Sequence, residues 1–210
     1  MQIGIELIAK APIPGWCKTR MGTEVGNRFP SYLQLAFLRD TLKVAYASGL
    51  SVRPWIGAPE GMIVQEGTDL RISQEKDLGV LLRRILELEW RRELDAVVFL
   101  GADAPHAVAR FLPRAVDVLH SHDVVLGPTD DGGVYLIGVR KLSVEFLKGV
   151  DWGTETVYRQ LVWNAVRLKY RWDTLGESFD VDTAGDLERL RNLLRGDRSL
   201  APATAVILLE

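Results

Sequence analysis

Basic residues cluster directly after the first apolar run of the chain. The stretch Ala9–Arg20 reads A-K-A-P-I-P-G-W-C-K-T-R and carries Lys10, Lys18 and Arg20 within about ten residues. Its prolines stiffen the backbone, and Gly15 can turn amide N–H groups toward a ligand. Rigid amides with nearby Lys and Arg are typical of phosphate sites, although the Walker A spacing is absent. The stretch predicts a phosphate-binding loop, with a solvated basic loop as the alternative.

Two acidic segments could hold a divalent cation. Asp103 follows the apolar run Asp95–Leu100, while Asp180 and Asp182 alternate along an extended segment and so point to the same side. Mg²⁺ prefers oxygen ligands and uses one or two carboxylates together with substrate phosphates. Asp103 and Asp182 are therefore candidates for one metal site. Helix capping is the simpler alternative, because Asp103 precedes a helical stretch and Asp182 or Thr183 precedes another.

A glycine-rich segment, Gly127–Tyr135, contains two aspartates. Asp130 and Asp131 could bind an acceptor hydroxyl or take its proton, and Asp131 is the candidate base. Gly132 and Gly133 would let the backbone approach a ligand closely. Asp-Gly between two apolar runs is also a strong hairpin signal, and the local chemistry favours that turn.

Histidine and tryptophan add few candidates. The three His residues form no ligand set. His106 is close to Asp103 in the sequence and is expected at the surface, with contact to a ligand as the alternative. Trp163, at helical spacing, is expected in the core. Trp16 could stack on a base and Trp152 on an acceptor.

The elements that must position these residues alternate between short apolar runs and helix-period stretches. This alternation predicts an α/β fold with an open, mostly parallel sheet and helices on both faces. Ligands bind beyond the carboxyl ends of the strands in such sheets, which is where the basic loop and Asp103 would meet. Strands are expected at Ile3–Ala9, Leu50–Ile56, Asp69–Ile72, Asp95–Leu100, Asp123–Leu126, Val134–Val139 and the tail Ala203–Leu209. Helices are expected near Ser31–Ser48, after a cap at Asp77, and near Val108–His120, Thr154–Lys169 and Ala184–Leu194.

The composition is that of an ordinary globular chain. With 210 residues, 47% of them apolar, it suits one domain over residues 1–210. The 26 Lys and Arg against 28 Asp and Glu give a net charge of −2 and no reason to expect a nucleic-acid partner. No apolar run reaches the ~20 residues of a membrane span, and no basic region precedes the first one, so a soluble cytoplasmic protein is expected. The single Cys17 excludes an internal disulfide.

Taken in order, the motifs resemble a family of bacterial and archaeal proteins in the GT-A glycosyltransferase and nucleotidyltransferase superfamily, the nucleotide-diphospho-sugar transferases. Beyond the basic loop, the family pattern runs Q-G-x-G-D-L-G, G-T-D-C-P, G-P-x-x-D-G-G-Y-Y-L-I-G, W-x-T and D-V-D-T-P-E-D-L. This chain has Q-E-K-D-L-G at 74–79, G-A-D-A-P at 101–105, G-P-T-D-D-G-G-V-Y-L-I-G at 127–138, W-G-T at 152–154 and D-V-D-T-A-G-D-L at 180–187. The resemblance spans nearly all of residues 3–195.

The resemblance implies a Rossmann-like GT-A sheet and a transferase that depends on Mg²⁺ or Mn²⁺. The implied donor is a nucleotide sugar, for glycosyl transfer to a small-molecule acceptor. The alternative is nucleotidyl transfer from an NTP to a phosphorylated alcohol. The oligomeric state stays open. The implied site comprises catalytic Lys18, Arg20, Asp103 and Asp131; nucleotide-binding Ala9, Lys10, Pro14, Gly15, Lys18, Arg20 and Asp77; acceptor-binding Asp130, Asp131, Gly132, Gly133 and Trp152; and metal-binding Asp103 and Asp182.

The chain departs from the family pattern at three places. Glu75 and Lys76 replace the Gly-rich loop, Ala102 and Ala104 replace the Thr and Cys that flank Asp103, and Ala184-Gly185 replaces Pro-Glu. These changes keep a third interpretation open, namely a non-catalytic nucleotide-binding protein. The intact Lys18, Arg20, Asp103 and Asp182 argue against complete loss of the site.

Overall fold

A seven-stranded sheet forms the centre of the molecule. The structure is a computed structural model, and it describes residues 1–62, 69–140 and 144–210. The strand order is β3-β2-β1-β4-β6-β5-β7. The strands are β1 (Ile3–Lys10), β2 (Ser51–Gly57), β3 (Arg71–Ser73), β4 (Ala96–Gly101), β5 (Val124–Pro128), β6 (Val134–Arg140) and β7 (Trp172–Thr174).

Helices connect most of the strands. They are α1 (Thr19–Val25), α2 (Arg28–Ala47), α3 (Leu78–Arg91), α4 (Pro105–Leu119), α5 (Val157–Arg167), α6 (Ala184–Gly196) and α7 (Pro202–Leu209), with short 3₁₀ helices at Val144–Leu147 and Arg198–Leu200. Within the described ranges, none of the helices has the length and apolar character needed to span a membrane.

The strand directions bring the predicted site residues to one edge of the sheet. β1 pairs in parallel with both β2 and β4, so that Lys10 lies opposite Gly57 and Ile8 opposite Gly101. Only β6 runs antiparallel to its neighbours among the described strands. The loops after β1 and β4 therefore leave the sheet at the same edge, and the β5–β6 turn lies at that edge too. The predicted α/β fold with a mostly parallel sheet is confirmed.

Helices cover both faces of the sheet, as predicted. On one face, buried residues of α2 and α4 pack against β1 and β4. On the opposite face, buried residues of α3 and α5 pack against the strand residues that point to that side. A third cluster of buried apolar residues joins α1, α2, α6 and α7. That cluster packs next to the loops at the carboxyl edge of the sheet, because α1 and α6 both begin at that edge.

The C-terminal tail is helical, and the prediction of a strand over Ala203–Leu209 is wrong. Pro202 occupies the first turn of α7, where the missing N–H of proline costs nothing. The buried carboxylate of Asp40 accepts hydrogen bonds from the backbone N–H groups of Ala203 and Thr204, at 2.8 and 2.9 Å. A side chain 163 positions earlier in the chain thus caps this helix, which a local apolar pattern cannot reveal.

Two further expectations about burial are wrong. Trp163 is 69% exposed, because the buried face of α5 is formed by Leu161 and Ala165 instead. His106 is only 4% exposed, because Ser178 and Phe179, in the segment that leads into α6, contact its ring. Both helices lie near the predicted positions, but helical spacing misplaced Trp163 and the position after Ala104-Pro105 misplaced His106.

Candidate functional site

Lys18 lies where the loop after β1 turns into α1. Its backbone adopts the left-handed conformation, with φ 45° and ψ 47°, and it forms the N-cap of α1 without a side-chain cap bond. This conformation is unfavourable for a residue with a β-carbon, and such strain concentrates at functional positions. The backbone turn sends the long side chain inward, where only 2% of it is exposed.

The Lys18 ammonium joins two acidic segments that are far apart in the chain. Nζ donates to Oδ1 of Asp103 at 2.6 Å and to the carbonyl oxygen of Val181 at 2.7 Å. It also lies 3.7 Å from Oδ1 of Asp182. Asp103 and Asp182 therefore converge at one point, and each keeps somewhat less than half of its side chain exposed.

Neither Asp103 nor Asp182 caps the helix that follows it. The N-cap of α4 is Ala104, with no side-chain cap bond, so Asp103 does not cap that helix. At α6, Thr183 and Asp186 form a reciprocal capping box, which satisfies the helix start without Asp182. Both candidate metal ligands are thus free of a capping role.

Asp180 adds a third carboxyl group that the sequence reasoning did not place in the site. Burial, followed by the charges of Asp103, Asp182 and Asp131, raises the pKa of Asp180 to about 8. The pKa of Asp182 is raised as well, first by burial and then by Asp103. The alternating D-V-D pattern was the available signal. This concentration of carboxyl groups favours the binding of a cation.

A polar cavity of about 260 Å³ surrounds this convergence point. It is lined by Lys10, Cys17, Lys18, Thr19, Arg20, Gln34, Asp103 and Asp182. Gln34 is only 1% exposed, and its Oε1 has no hydrogen-bond partner among the described residues. A buried, unpaired amide oxygen is costly unless a ligand pairs with it. Sequence reasoning missed Gln34, which is one of several polar residues on the buried face of α2 and therefore carried no distinct signal in the sequence.

The donor set suits a metal that the substrate helps to hold. No group of three His, Cys, Asp or Glu side chains in the described ranges could hold a metal ion. Two carboxylates, however, are what Mg²⁺ commonly takes from a protein when phosphate oxygens and water complete its shell. Asp103 and Asp182 fit that role, and the excess of negative charge around Asp180 fits it too.

The segment Asp130–Gly133 forms the β5–β6 turn, so the predicted hairpin is confirmed. Oδ1 of Asp131 accepts hydrogen bonds from Oγ1 of Thr129 at 2.6 Å and from the Gly133 N–H at 3.0 Å. Gly132 has φ 86°, and a β-carbon there would collide with the backbone of Glu155. Asp130 instead pairs with Arg189 of α6, with 2.7 Å between Nη2 and Oδ2.

The other predicted site residues lie outside the lining of the polar cavity. Asp77 caps α3 by accepting from the Val80 N–H at 3.0 Å. Trp152 packs closely against Gly79 in the first turn of the same helix. Pro14 and Gly15 are exposed in the loop after β1. The structure thus brings together Lys10, Lys18, Arg20, Asp103 and Asp182, and it places Asp77 and Trp152 together at the start of α3.

Comparison with solved structures shows the same fold in several other proteins. A candidate nucleotide-diphospho-sugar transferase from Desulfovibrio desulfuricans G20 is 28% identical with a TM-score of 0.87, covering 100% of this chain and 95% of that one. CMP:2-keto-3-deoxy-manno-octonic acid synthetase complexed with CTP is 14% identical with a TM-score of 0.55, covering 94% of this chain and all (100%) of that one. Rv0371c from Mycobacterium tuberculosis H37Rv, solved in complex with manganese, is 18% identical with a TM-score of 0.52, covering 90% and 98%.

The last two similarities concern the fold alone, because their sequence identities are low. A search of curated proteins finds no match. A family defined from sequence matches residues 36–154, which is more than half of the chain. The matched range includes β4, Asp103 and the β5–β6 turn. The chain therefore belongs to the DUF2064 family, described as an uncharacterized protein conserved in bacteria.

Proposed function

We propose that this protein is a metal-dependent transferase that uses a nucleotide-activated donor, and that it transfers a glycosyl group from a nucleotide sugar. One observation carries the proposal: Asp103 and Asp182 converge on Lys18 in a cavity that Lys10 and Arg20 also line. Acidic and basic groups meeting at the carboxyl edge of a parallel sheet suit a diphosphate bound with a cation. The similarity to the Desulfovibrio protein at 28% identity supports the same conclusion.

The basic residues hold the phosphates of the donor. Arg20 and Lys10 are exposed at the mouth of the cavity and contact phosphate oxygens, whereas Lys18 is fixed beneath them. Their positive charge stabilises the negative charge that develops on the leaving diphosphate. This stabilisation is preorganised, because the bonds from Lys18 to Asp103 and Val181 already fix its ammonium.

Asp103 and Asp182 would hold the Mg²⁺ or Mn²⁺ ion. When bound, the metal neutralises charge on the phosphate oxygens and so makes the nucleoside diphosphate a better leaving group. Asp180 lies next to both ligands, where burial and the neighbouring carboxylates raise its pKa to about 8.

The β5–β6 turn positions the acceptor. Asp103, Asp180 and Asp182 form an acidic centre. Asp131 contributes to the raised pKa of Asp180, so its carboxylate lies near this acidic centre. Its Oδ1 is held by Thr129 and Gly133, which fixes the orientation of the carboxylate. The other oxygen of Asp131 then takes the proton from the acceptor hydroxyl as that hydroxyl attacks.

Nucleotidyl transfer is the second candidate, because the synthetase solved with CTP shares this fold. The two reactions differ in the leaving group. Glycosyl transfer releases a nucleoside diphosphate, whereas nucleotidyl transfer releases pyrophosphate. The protein is incubated with the donor, the metal and a cell extract that supplies the acceptor. Analysis of the products for nucleoside diphosphate or pyrophosphate then distinguishes the two reactions.

A thermal-shift screen tests the proposal directly. NTPs and nucleotide sugars are added with Mg²⁺, with Mn²⁺ or with EDTA, and a ligand at one hundred times its Kd stabilises by about 2.7 kcal/mol. We expect metal-dependent stabilisation that is lost in Asp103→Asn and retained in Asp173→Asn, a matched acid on β7. A screen in which no nucleotide stabilises the protein would refute the proposal. Binding without any turnover would identify a non-catalytic nucleotide-binding protein.

A further inference from the structure

A second cavity lies between the first turns of α4 and the middle of α6. His106 and Arg110 line it from α4, Arg189 lines it from α6, and Glu177 and Phe179 come from the segment before α6. Asp130 of the β5–β6 turn completes its rim. We call it the His106 cavity; its volume is about 190 Å³. None of its residues lines the polar cavity around Lys18.

His106 is the feature that points to a ligand. It is 4% exposed, its Nε2 lies 3.0 Å from Oγ of Ser178, and its Nδ1 has no hydrogen-bond partner among the described residues. Burial, together with Arg189 and Arg110, lowers the pKa of His106 to about 4, so the ring is neutral. Four buried side-chain atoms lack partners in the described ranges, and two of them belong to Gln34 and His106. Each of these two residues lines one of the cavities.

The charges around the His106 cavity balance. Arg189 is neutralised by Asp130 at 2.7 Å, and Arg110 and Glu177 contribute one exposed charge of each sign. A cavity with no net charge gives no preference for an anion over a neutral molecule. The cavity instead offers both hydrogen-bond donors and acceptors, which suits a ligand that has several hydroxyl groups.

The walls of the cavity are partly apolar. The ring of Phe179 lies 4.4 Å from that of His106 and 4.1 Å from the guanidinium of Arg189, and Phe111, Leu193 and Leu200 add further apolar surface. Apolar surface of this kind packs against the C–H face of a saturated ring. The volume is below the range of about 300–1,000 Å³ that drug-sized ligands occupy, so a single ring fits.

The cavity also adjoins the acidic centre through two pairs of consecutive residues. Asp130 lines the cavity, and Asp131 is the residue assigned to take the acceptor proton. Phe179 lines it as well, and Asp180 lies among the carboxylates of the centre. A ring held in the cavity would thus have its substituents close to the reacting groups.

We propose that the His106 cavity binds a neutral, hydroxyl-rich ring of monosaccharide size, which is the acceptor of the transfer. The role as acceptor rests on the function proposed above, whereas the binding itself does not. Arg110 and Glu177 hydrogen-bond the hydroxyl groups, and the ring packs against Phe179.

Ligand-observed NMR titration tests this site with glucose, galactose, mannose and N-acetylglucosamine, and with glucose 6-phosphate as the anionic comparison. Arg110→Met and Glu177→Gln change exposed side chains and should leave the fold intact. Arg114→Met is the matched control, since Arg114 lies one turn further along α4, pairs with Asp173 at 3.5 Å and does not line the cavity. We expect at least one neutral sugar to bind, about tenfold more weakly in the two cavity variants and unchanged in Arg114→Met.

Three results would overturn the inference: no sugar binds, a sugar binds equally to all four proteins, or only the phosphorylated sugar binds. The nucleotide thermal shift is measured on the same samples to separate the two proposals. A normal nucleotide shift without sugar binding refutes the cavity alone. Sugar binding at the cavity without any nucleotide shift supports the cavity and refutes the transferase proposal.

Discussion

The ammonium nitrogen of Lys18 lies 2.6 Å from Oδ1 of Asp103, although 85 positions separate these residues in the chain. Only 2% of the Lys18 side chain is exposed, against 45% for Asp103. The Lys18 side chain therefore contacts mainly other protein groups, whereas the Asp103 carboxylate can contact both Lys18 and a ligand. This asymmetry decides what each substitution should do.

Asp103→Asn should abolish metal-dependent nucleotide binding and lower the free energy of unfolding by about 1–2 kcal/mol. The loss of stability is moderate because the Lys18 ammonium keeps Val181 and Asp182 as partners. Urea denaturation measures the stability, and nucleotide titration with Mn²⁺ measures the binding. A variant that binds nucleotide with unchanged affinity would show that Asp103 has no role in the site.

Arg20→Met should weaken nucleotide binding about tenfold without changing stability, because Arg20 is exposed and lines the cavity. The effect should shrink as salt is added, since exposed charges are screened. Arg28→Met is the matched control, being an exposed arginine at the start of α2 that does not line the cavity. Calorimetric titration at low and high salt provides the measurement, and equal affinities for the two variants would contradict the assignment.

A buried network of charged side chains contacts the sheet, and none of its residues lines either cavity. Glu6 of β1 is fully buried, and Arg53 hydrogen-bonds both Glu6 and Glu89. The Trp55 indole N–H also donates to Glu6. Burial outweighs these partners and raises the pKa of Glu6 from 4.5 to about 7.

The stability of the protein should depend on this carboxyl group. Between pH 4.5 and 7 the folded state holds a proton on Glu6 that the unfolded chain has lost, so the contribution of Glu6 falls as pH rises. Glu6→Gln removes that proton exchange. We expect the free energy of unfolding of Glu6→Gln, relative to the natural chain, to increase from pH 5 to pH 8. Denaturation curves at several pH values test this, and a constant difference would contradict the assigned titration.

Asp40 should contribute strongly to stability because it caps α7 from α2. Its carboxylate accepts from Ala203 N–H, Thr204 N–H and the Thr204 hydroxyl, the last at 2.7 Å. Asp40→Ala leaves all three donors unpaired in a buried place and should cost about 2–4 kcal/mol. Asp40→Asn retains one acceptor oxygen and should cost less. Thermal unfolding with far-ultraviolet circular dichroism compares them, and equal losses would mean that packing rather than capping holds α7.

The fold was predictable from sequence wherever local patterning decides the structure. The apolar runs at β1 and β4 and the cap at Asp77 lie where they were expected, because continuous apolar runs and N-caps are local signals. The strand β7 has only three residues and α7 depends on Asp40, so both depend on contacts between distant parts of the chain. Those contacts are invisible to a short sequence window.

The site was predictable to the extent that motifs follow strands. Lys18, Asp103 and Asp182 each follow or precede a recognisable element, and the sheet brings them together. Gln34 was not considered for a site, and His106 was expected at the surface rather than against a ligand, because their significance comes from burial without a partner. That property exists only in three dimensions. Asp180 is intermediate, since its alternation with Asp182 was visible but the neighbouring carboxylates that change its pKa were not.

The segment Ser178–Asp182 forms a wall of both cavities, with Ser178 and Phe179 on one and Asp182 on the other. Its backbone is fixed at both ends, by a bridge between Thr129 and Ser178 and by the hydrogen bond from Val181 N–H to the Asp103 carbonyl. The wall that the two cavities share is therefore ordered before either ligand binds, so neither donor nor acceptor loses affinity to the entropy of ordering it.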